Sequence, residues 1–449
     1  MPSVYIKTYG CQMNERDSEA VAAQLAARGF SIVASEHGAD VVLLNTCSVR
    51  DAAEQKALGK MAAVAGQARK QGHPQVLGYL GCMAQSRGAE LLSSQVQLVV
   101  GTQKFHRTGE YLEALLRNQR ASIVDVEPEQ GSESAIREHL PAAKGAAGVT
   151  AFVSIMQGCN QHCSFCIVPQ TRGEERSRPM GEIVEECRDL AAKGIREITL
   201  LGQIVTSYGR RTIPVRDGRS GFVQLLDAVH EVEGIERIRF TSPHPKGYGG
   251  DLVEAYARLA KLCPSAHIPA QSGSDRVLKA MRRGYTRERF LELVGQLRSV
   301  SPGLGLTTDL IVGFPGETEE DFEATMDLAR AARFTNAFIF KYSPRRDTPA
   351  ATMPDQVPLE VRESRHRQLL DLVTRLGMEQ YEAQVGRVVR ILVEGPSRRN
   401  SSRLEGRTGS NMIVVFEGAE RHLGQILDVR VTRAGSFTLY GDPAIVNLD

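Results

Sequence analysis

The sequence predicts an α/β protein in three parts: an N-terminal parallel α/β domain, a central partial (β/α)6 TIM-like barrel, and a small C-terminal all-β barrel. Three observations predict it. Before residue 101, short apolar runs alternate with amphipathic helical stretches, and between 151 and 378 they do so about six more times, as parallel sheets faced by helices require. After Gln384 the helical pattern stops, and short strands at 385–393, 411–416, 425–432 and 438–440, separated by Gly and Ser turns, replace it.

The 449 residues exceed one ordinary domain, and 42% hydrophobic with 24% charged residues is a globular composition. A formal net charge of +2 provides no global field for nucleic acid, so any such contact must be a local patch. No apolar run approaches the ~18 residues of a membrane span, and Met1-Pro-Ser-Val-Tyr-Ile-Lys lacks the apolar core of a signal peptide. The expectation is a cytoplasmic protein with no membrane partner. There, eight cysteines are thiols or metal ligands rather than disulfides.

In order, Val4–Tyr9 reads as a strand, and the helix after it carries Val21, Leu25 and Phe30 on one face. Ala39–Asn45 is the second strand, 52–71 a helix, Gln75–Leu80 the third strand and Val96–Val100 the fourth. The first three strands end in Cys11, Cys47 and Cys82. A lone cysteine is usually a buried small hydrophobe. Three at one topological position, the carboxyl ends where α/β sheets gather ligands, read as a three-thiolate site. The domains are placed at 2–118, 149–380 and 381–445, with a Gly-rich, polar linker at 119–148.

In the central part, strands are expected at 151–156, 197–202, 237–242, 267–270, 305–312 and 337–342, with helices at 180–193, 223–232 and 251–262. Cys187 falls on the apolar face of one helix and Cys263 closes another, so both read as packing. Cys159, Cys163 and Cys166 are different. Their C-x3-C-x2-C spacing follows Gly158 in a short loop, and clustered thiolates suit zinc or iron–sulfur. Structural zinc wants a fourth ligand, for which His162 or a distant residue is the alternative. Three ligands leave one iron of a 4Fe-4S cluster open.

Polar groups gather where barrel strands end: Gly202 and Gln203, Ser242, Gln271, Asp309 and Gly313. These are the candidate cofactor-binding residues, the glycines permitting close approach; no residue is assigned a catalytic role. In the loop 167–179, Arg172, Arg176 and Arg178 are candidates for a phosphate or carboxylate. Between Gln384 and Gly441 stand nine Arg, no Lys and five acids. Arg398, Arg399 and Arg403 in that stretch form a candidate phosphate-contacting loop.

The Cys159/Cys163/Cys166 spacing is similar to that of the radical S-adenosylmethionine (SAM) superfamily. The whole chain resembles the methylthiotransferases of that superfamily. The resemblance is carried by Tyr9–Glu15, by 45–50 (Asn-Thr-Cys-Ser-Val-Arg), by Gly81–Gln85, by Leu200–Gln203, by Gln271–Ser274, by Gly313–Thr318 and by Tyr342–Arg345. Cys11–Asn14 and Thr171–Glu175 are most similar to the tRNA-2-methylthio-N6-dimethylallyladenosine synthase branch. That likeness implies two 4Fe-4S clusters, SAM both as methyl source and as radical source, and a C-terminal TRAM domain that grips tRNA. It also implies a reducing donor such as flavodoxin or ferredoxin, a sulfur donor, and methylthiolation at C2 of the adenine. Two other branches, acting on threonylcarbamoyladenosine in tRNA or on a ribosomal-protein aspartate, are the alternatives. A structural-zinc RNA-binding protein is the alternative outside enzymes. Ile204-Val205-Thr206 and Arg346-Asp347 depart from the family's usual residues at the barrel rim.

Overall fold

The computed structural model describes residues 1–48, 51–71, 73–140 and 148–443. Val49 and Arg50 of the second family motif, most of the Gly-rich end of the expected linker, and residues 444 and 445 lie outside the described residues.

The N-terminal sheet is parallel throughout. Its strand order is Ser31–Ile32, Ser3–Tyr9, Val41–Thr46, Val76–Leu80, Leu98–Val100, Ile123–Asp125. Val41–Thr46 is buried at every position, which is why its sequence runs apolar without alternation. Val41 and Leu43 pack with Val21 and Leu25 on one face, and Val42 and Leu44 with Met61 and Val64 on the other. The sequence reading expects four strands. The two further ones are short edge strands of two and three residues, too brief to carry a periodic signal. Ile123–Asp125 also corrects the linker assignment, since the stretch expected to begin it hydrogen-bonds to Leu98–Val100 as part of the sheet.

The central part has its six parallel strands in two three-stranded sheets. Thr150–Ser154, Glu197–Leu201 and Arg237–Phe240 form one, and Ser265–His267, Gly305–Val312 and Asn336–Lys341 the other. Among the described residues the bridge Ile238 to Leu262 links the two halves. One core cluster runs under both, from Val153 and Ile198 to Leu306 and Leu310. The helix expected over 251–262 is observed as Gly250–Arg258. Leu259 leaves helical backbone at φ −92°, ψ 98°, because the following residues are needed for the bridge to Ile238. Cys187 and Cys263 are buried, as packing residues should be.

The helix Leu359–Glu382 leads into a closed five-stranded barrel, ordered Val388–Pro396, Leu404–Thr408, Ile413–Phe416, Leu439–Pro443, Ile426–Ala434. Leu404–Thr408 is the strand the sequence reading lacks. Gly406 interrupts its pattern, yet a side chain there would meet Leu392 O at 2.4 Å. Two arginines of the central sheet fasten this barrel. Arg237 donates to the carbonyls of Arg407 (2.6 Å) and Arg390 (3.1 Å). Arg239 donates to those of Gly409 (2.9 Å) and Thr408 (2.8 Å), and to Glu197 (2.8 Å). Arg239→Ala leaves the buried Glu197 carboxylate with the Arg237 guanidinium at 4.0 Å and no hydrogen-bonded cation, and it frees two carbonyls. Breaking a buried pair in this way costs about 3 kcal/mol, so limited proteolysis at 383–387 is expected to be clearly faster than in the parent chain.

Candidate active site at a domain seam

Register brings the first cysteine trio together. Tyr9 pairs with Thr46 and Asn45 with Leu80; Cys11, Cys47 and Cys82 each follow within two residues of these neighbouring strand ends. Strands lie ~4.8 Å apart, so three adjacent ends span about 10 Å. Close packing holds the turns. A side chain on Gly10 would meet Cys47 Cβ at 2.9 Å, and one on Gly81 would meet Asn45 Oδ1 at 2.2 Å. Asn14 and Asn45 brace the turns from beneath: Asn14 Nδ2 donates to Asn45 Oδ1 at 3.1 Å, and Asn45 Nδ2 to Asn14 O at 2.9 Å. The Cys11 thiol is drawn down to about 6, first by a hydrogen bond from Cys47 and, among lesser causes, by the Arg172 cation.

The second trio sits in the loop after Met156–Gln157. Gly158, at φ +79°, is forced: a Cβ there would lie 1.8 Å from Glu174 O. Cys159 N donates to Gly173 O at 3.0 Å and Cys166 N to Cys163 O at 3.1 Å. Arg283, buried, donates from Nη1 to Cys163 Sγ at 3.2 Å. Burial pushes the Cys159 thiol up to about 11 and Cys166 up to about 12, a penalty on the thiolates that bound metal cations would offset. His162, the nearby residue of the zinc alternative, is exposed. Among the described residues no three Cys, His, Asp or Glu groups are gathered as a single-ion site. Gly158→Ala is expected to lose about half of the bound iron, since neither its φ nor its contact with Glu174 O tolerates a Cβ; iron analysis of anaerobically purified protein checks this.

One segment ties the trios together. Cys166 and Arg172 are six residues apart, and Val168–Arg172 is helical; at ~1.5 Å per helical residue their Cα atoms stand within about 13 Å. That helix packs against Cys82–Arg87. Thr102 Oγ1 donates to Thr171 O at 2.6 Å, and Arg172 Nη2 to the buried Asp17 Oδ2 at 2.6 Å. The three loop arginines are thus not open phosphate contacts. Arg176 donates to Gln103 Oε1 at 2.7 Å, and Arg178 to Ser154 O at 2.6 Å. All three serve the seam or its supports.

The barrel rim shows a common feature. Gln157 Nε2 and Oε1, Gln203 Oε1, His244 Nε2 and Tyr342 Oη are all buried without a protein partner, at four of the six strand ends. Such groups cost ~1–3 kcal/mol each until something satisfies them. They fit a polar cofactor with many donors and acceptors, such as SAM. Burial, with Arg283 and Lys246 adding to it, lowers His244 to about 3, so its ring is neutral. Ser242 (φ +59°) and Gln271 (φ +67°) are left-handed without being glycine, a strain that tends to persist at ligand sites. Gly202 lies against Met156, where a side chain would come to 2.6 Å. Asp309 Oδ2 is 3.3 Å from His267 Nε2. Gly313 is different: a side chain there would meet Arg362 at 2.1 Å, and its N–H donates to Glu317 at 2.7 Å. Its freedom is taken up inside the fold, not by an open cradle.

At the rim departures, Thr206 Oγ1 accepts from His244 N (3.2 Å), and Arg346 donates to Glu90 of the N-terminal domain (2.8 Å). Arg398 and Arg399 are exposed in the turn between two strands of the C-terminal barrel, and Arg403 pairs with Glu417 at 3.0 Å. Sequence reasoning missed Arg283 and Gln157. Only adjacency, Gln157 preceding Gly158 and Arg283 following a helix, marks them.

Three family models match the chain: the Radical SAM superfamily over 153–329, the Uncharacterized protein family UPF0004 over 3–101, and the TRAM domain over 382–444. The tRNA-2-methylthio-N(6)-dimethylallyladenosine synthase of Opitutus terrae is 53% identical, over 98% of this chain and 97% of its own. The chain belongs to the radical SAM methylthiotransferase family. The proteins of the same name from Akkermansia muciniphila and Methylacidiphilum infernorum are 50% and 51% identical, over 99% and 100% of this chain and 99% and 96% of their own. The fold is also like that of the radical SAM methyltransferase TsrM from Kitasatospora setae, at TM-score 0.55 and 14% identity over 78% of this chain and 77% of that one. As a family member the chain is a radical SAM enzyme, for which SAM and a 4Fe-4S cluster are implied. Among the described residues no helix is long and apolar enough to cross a membrane.

Proposed function

We propose that this chain methylthiolates N6-(dimethylallyl)adenosine at C2, on the 3′ side of the tRNA anticodon, and works in the cytoplasm. The observation that carries the reading is the seam: two trios of cysteines, one from each domain, within reach of the single segment Cys166–Arg172. Cys159, Cys163 and Cys166 would hold the cluster that binds SAM, and Cys11, Cys47 and Cys82 an auxiliary cluster. When bound, these groups supply reductive cleavage of SAM and a place to hold sulfur.

The chain's own residues do the rest. Gln157, Gln203, His244 and Tyr342 offer donors and acceptors to the polar parts of SAM, Gly202 lets the strand end pack on Met156, and Ser242, Gln271 and Asp309 shape the floor. Arg283 sets a cation against the Cys163 thiolate. Thr102, Asp17 and Gln103 close the seam onto the core domain and keep water from the space between the trios. Arg398 and Arg399 offer guanidinium groups to tRNA phosphates, an affinity that falls with salt. A flavodoxin or ferredoxin would supply electrons, and a separate donor the sulfur.

Mass spectrometry of tRNA nucleosides and ribosomal peptides from a deletion strain, with and without the gene restored, tests the substrate. The expected result is loss and return of 2-methylthio-N6-(dimethylallyl)adenosine with ribosomal peptides unchanged. An unchanged nucleoside, with a lost aspartate modification, would transfer the chain to the ribosomal-protein branch.

A further inference from the structure

Arg172 has a charge no part of the reading above uses fully. It belongs to the core domain but ends among the N-terminal cysteines, and it is 3% exposed. One arm is satisfied: Nη2 donates to Asp17 Oδ2 at 2.6 Å, and Asp17 is itself fully buried. The other arm is not. Nη1 is buried with no protein acceptor. Its helix packs on Cys82–Arg87, and Cys11 and Cys82 are the sulfurs whose charge it feels beside Asp17. A buried guanidinium spends a large desolvation cost, and leaving one of its donors unmade adds to it. Nη1 and Asp17 Oδ1 are both buried and unpaired, so the Arg172–Asp17 contact is single-armed and Nη1 is left for another acceptor; the Cys11 and Cys82 sulfurs, whose charge bears on this guanidinium, lie where its helix packs.

We propose that Arg172 Nη1 is the core domain's hydrogen-bond donor to the sulfurs of the auxiliary cluster, so that the cluster's reduction potential depends on the docking of the two domains. This rests on the reading that Cys11, Cys47 and Cys82 hold a cluster. A cationic donor stabilises the more negative, reduced state, and hydrogen bonds to cluster sulfurs are one of the levers that set such potentials. Asp17 fixes the direction of the guanidinium, and Thr102, through Thr171 O, fixes the depth of the helix that carries it. Arg172 is therefore a positioning residue that also tunes, distinct from Arg283, which performs the like contact on Cys163 of the other trio.

The test uses the full chain carrying Cys159→Ala, Cys163→Ala and Cys166→Ala, so that only the N-terminal trio can load. Iron, acid-labile sulfide and an electron paramagnetic resonance redox titration are the readouts, compared with the same chain carrying R172Q, R172K or D17N. The parent is expected to hold about four irons. R172Q is expected to keep them with a reduction equilibrium at least tenfold less favourable, which for one electron is about 59 mV more negative. D17N, which retains the guanidinium, shifts less than R172Q. If R172Q loses the cluster, R172K carries the comparison, with a shift in the same direction. An unchanged potential in whichever of the two retains its cluster overturns the role of Arg172. A parent chain that binds no iron overturns instead the reading of the cysteine trio.

Discussion

Cys159→Ala is expected to form no 5′-deoxyadenosine above background when given SAM and a strong reductant, while keeping about half of the iron of the parent chain. Neither spare cysteine is placed to substitute. The two other cysteines outside the trios are each committed elsewhere: Cys187 is wholly buried in a helix core, and Cys263 lies beside the Arg239–Glu197 pair. His162 is exposed. The loop itself remains anchored, through Cys159 N to Gly173 O and Cys166 N to Cys163 O, so the change removes a ligand without unfolding the barrel. Cys163→Ala is expected to behave alike and in addition to leave Arg283 without its sulfur acceptor. Formation of 5′-deoxyadenosine by a Cys159→Ala chain shown to lack the core-domain cluster would refute the assignment of that trio.

The sequence made the chemistry more legible than the frame around it. Cysteine spacing is a local property, so the C-x3-C-x2-C loop and the glycine before it can be read directly. The N-terminal trio needed one step more, from strand ends to a parallel sheet, and register supplied it, since Tyr9, Thr46 and Leu80 end side by side. What escaped was short or non-local. Ser31–Ile32 and Ile123–Asp125 are too brief for periodicity, and Leu404–Thr408 contains a glycine whose reason is the carbonyl of Leu392 on the neighbouring strand. Arg172, Arg176 and Arg178 looked like solvent-facing phosphate contacts because charged residues in a loop usually are. Here a second domain covers the loop, and Asp17, Gln103 and Glu129, 47 or more residues upstream of their partners, take up two of those guanidinium groups. Gly313 has a structural reason that a local reading does not reveal. A glycine at a strand end suggests a cofactor, but Arg362, from the helix Leu359–Glu382, occupies the space.

Cys82→Ala separates the two halves of the reaction. The N-terminal trio and the core-domain loop draw on different segments of the chain; Cys82 opens the helix Cys82–Arg87, which packs on the helix Val168–Arg172 that follows Cys166. Removing the buried Cys82 thiol leaves the sheet intact, because the bracing is done by Asn14, Asn45 and the close packing at Gly10 and Gly81. SAM cleavage is therefore expected to continue, measured as 5′-deoxyadenosine, while the methylthio nucleoside falls to background. Iron drops by about half, as in Cys159→Ala, so the two variants differ in product pattern but not in metal content. A Cys82→Ala chain that still yields normal methylthio product would remove the sulfur-holding role from the N-terminal trio. A chain that stops cleaving SAM as well would show instead that the seam transmits the loss through Arg172 and its helix to the core-domain loop.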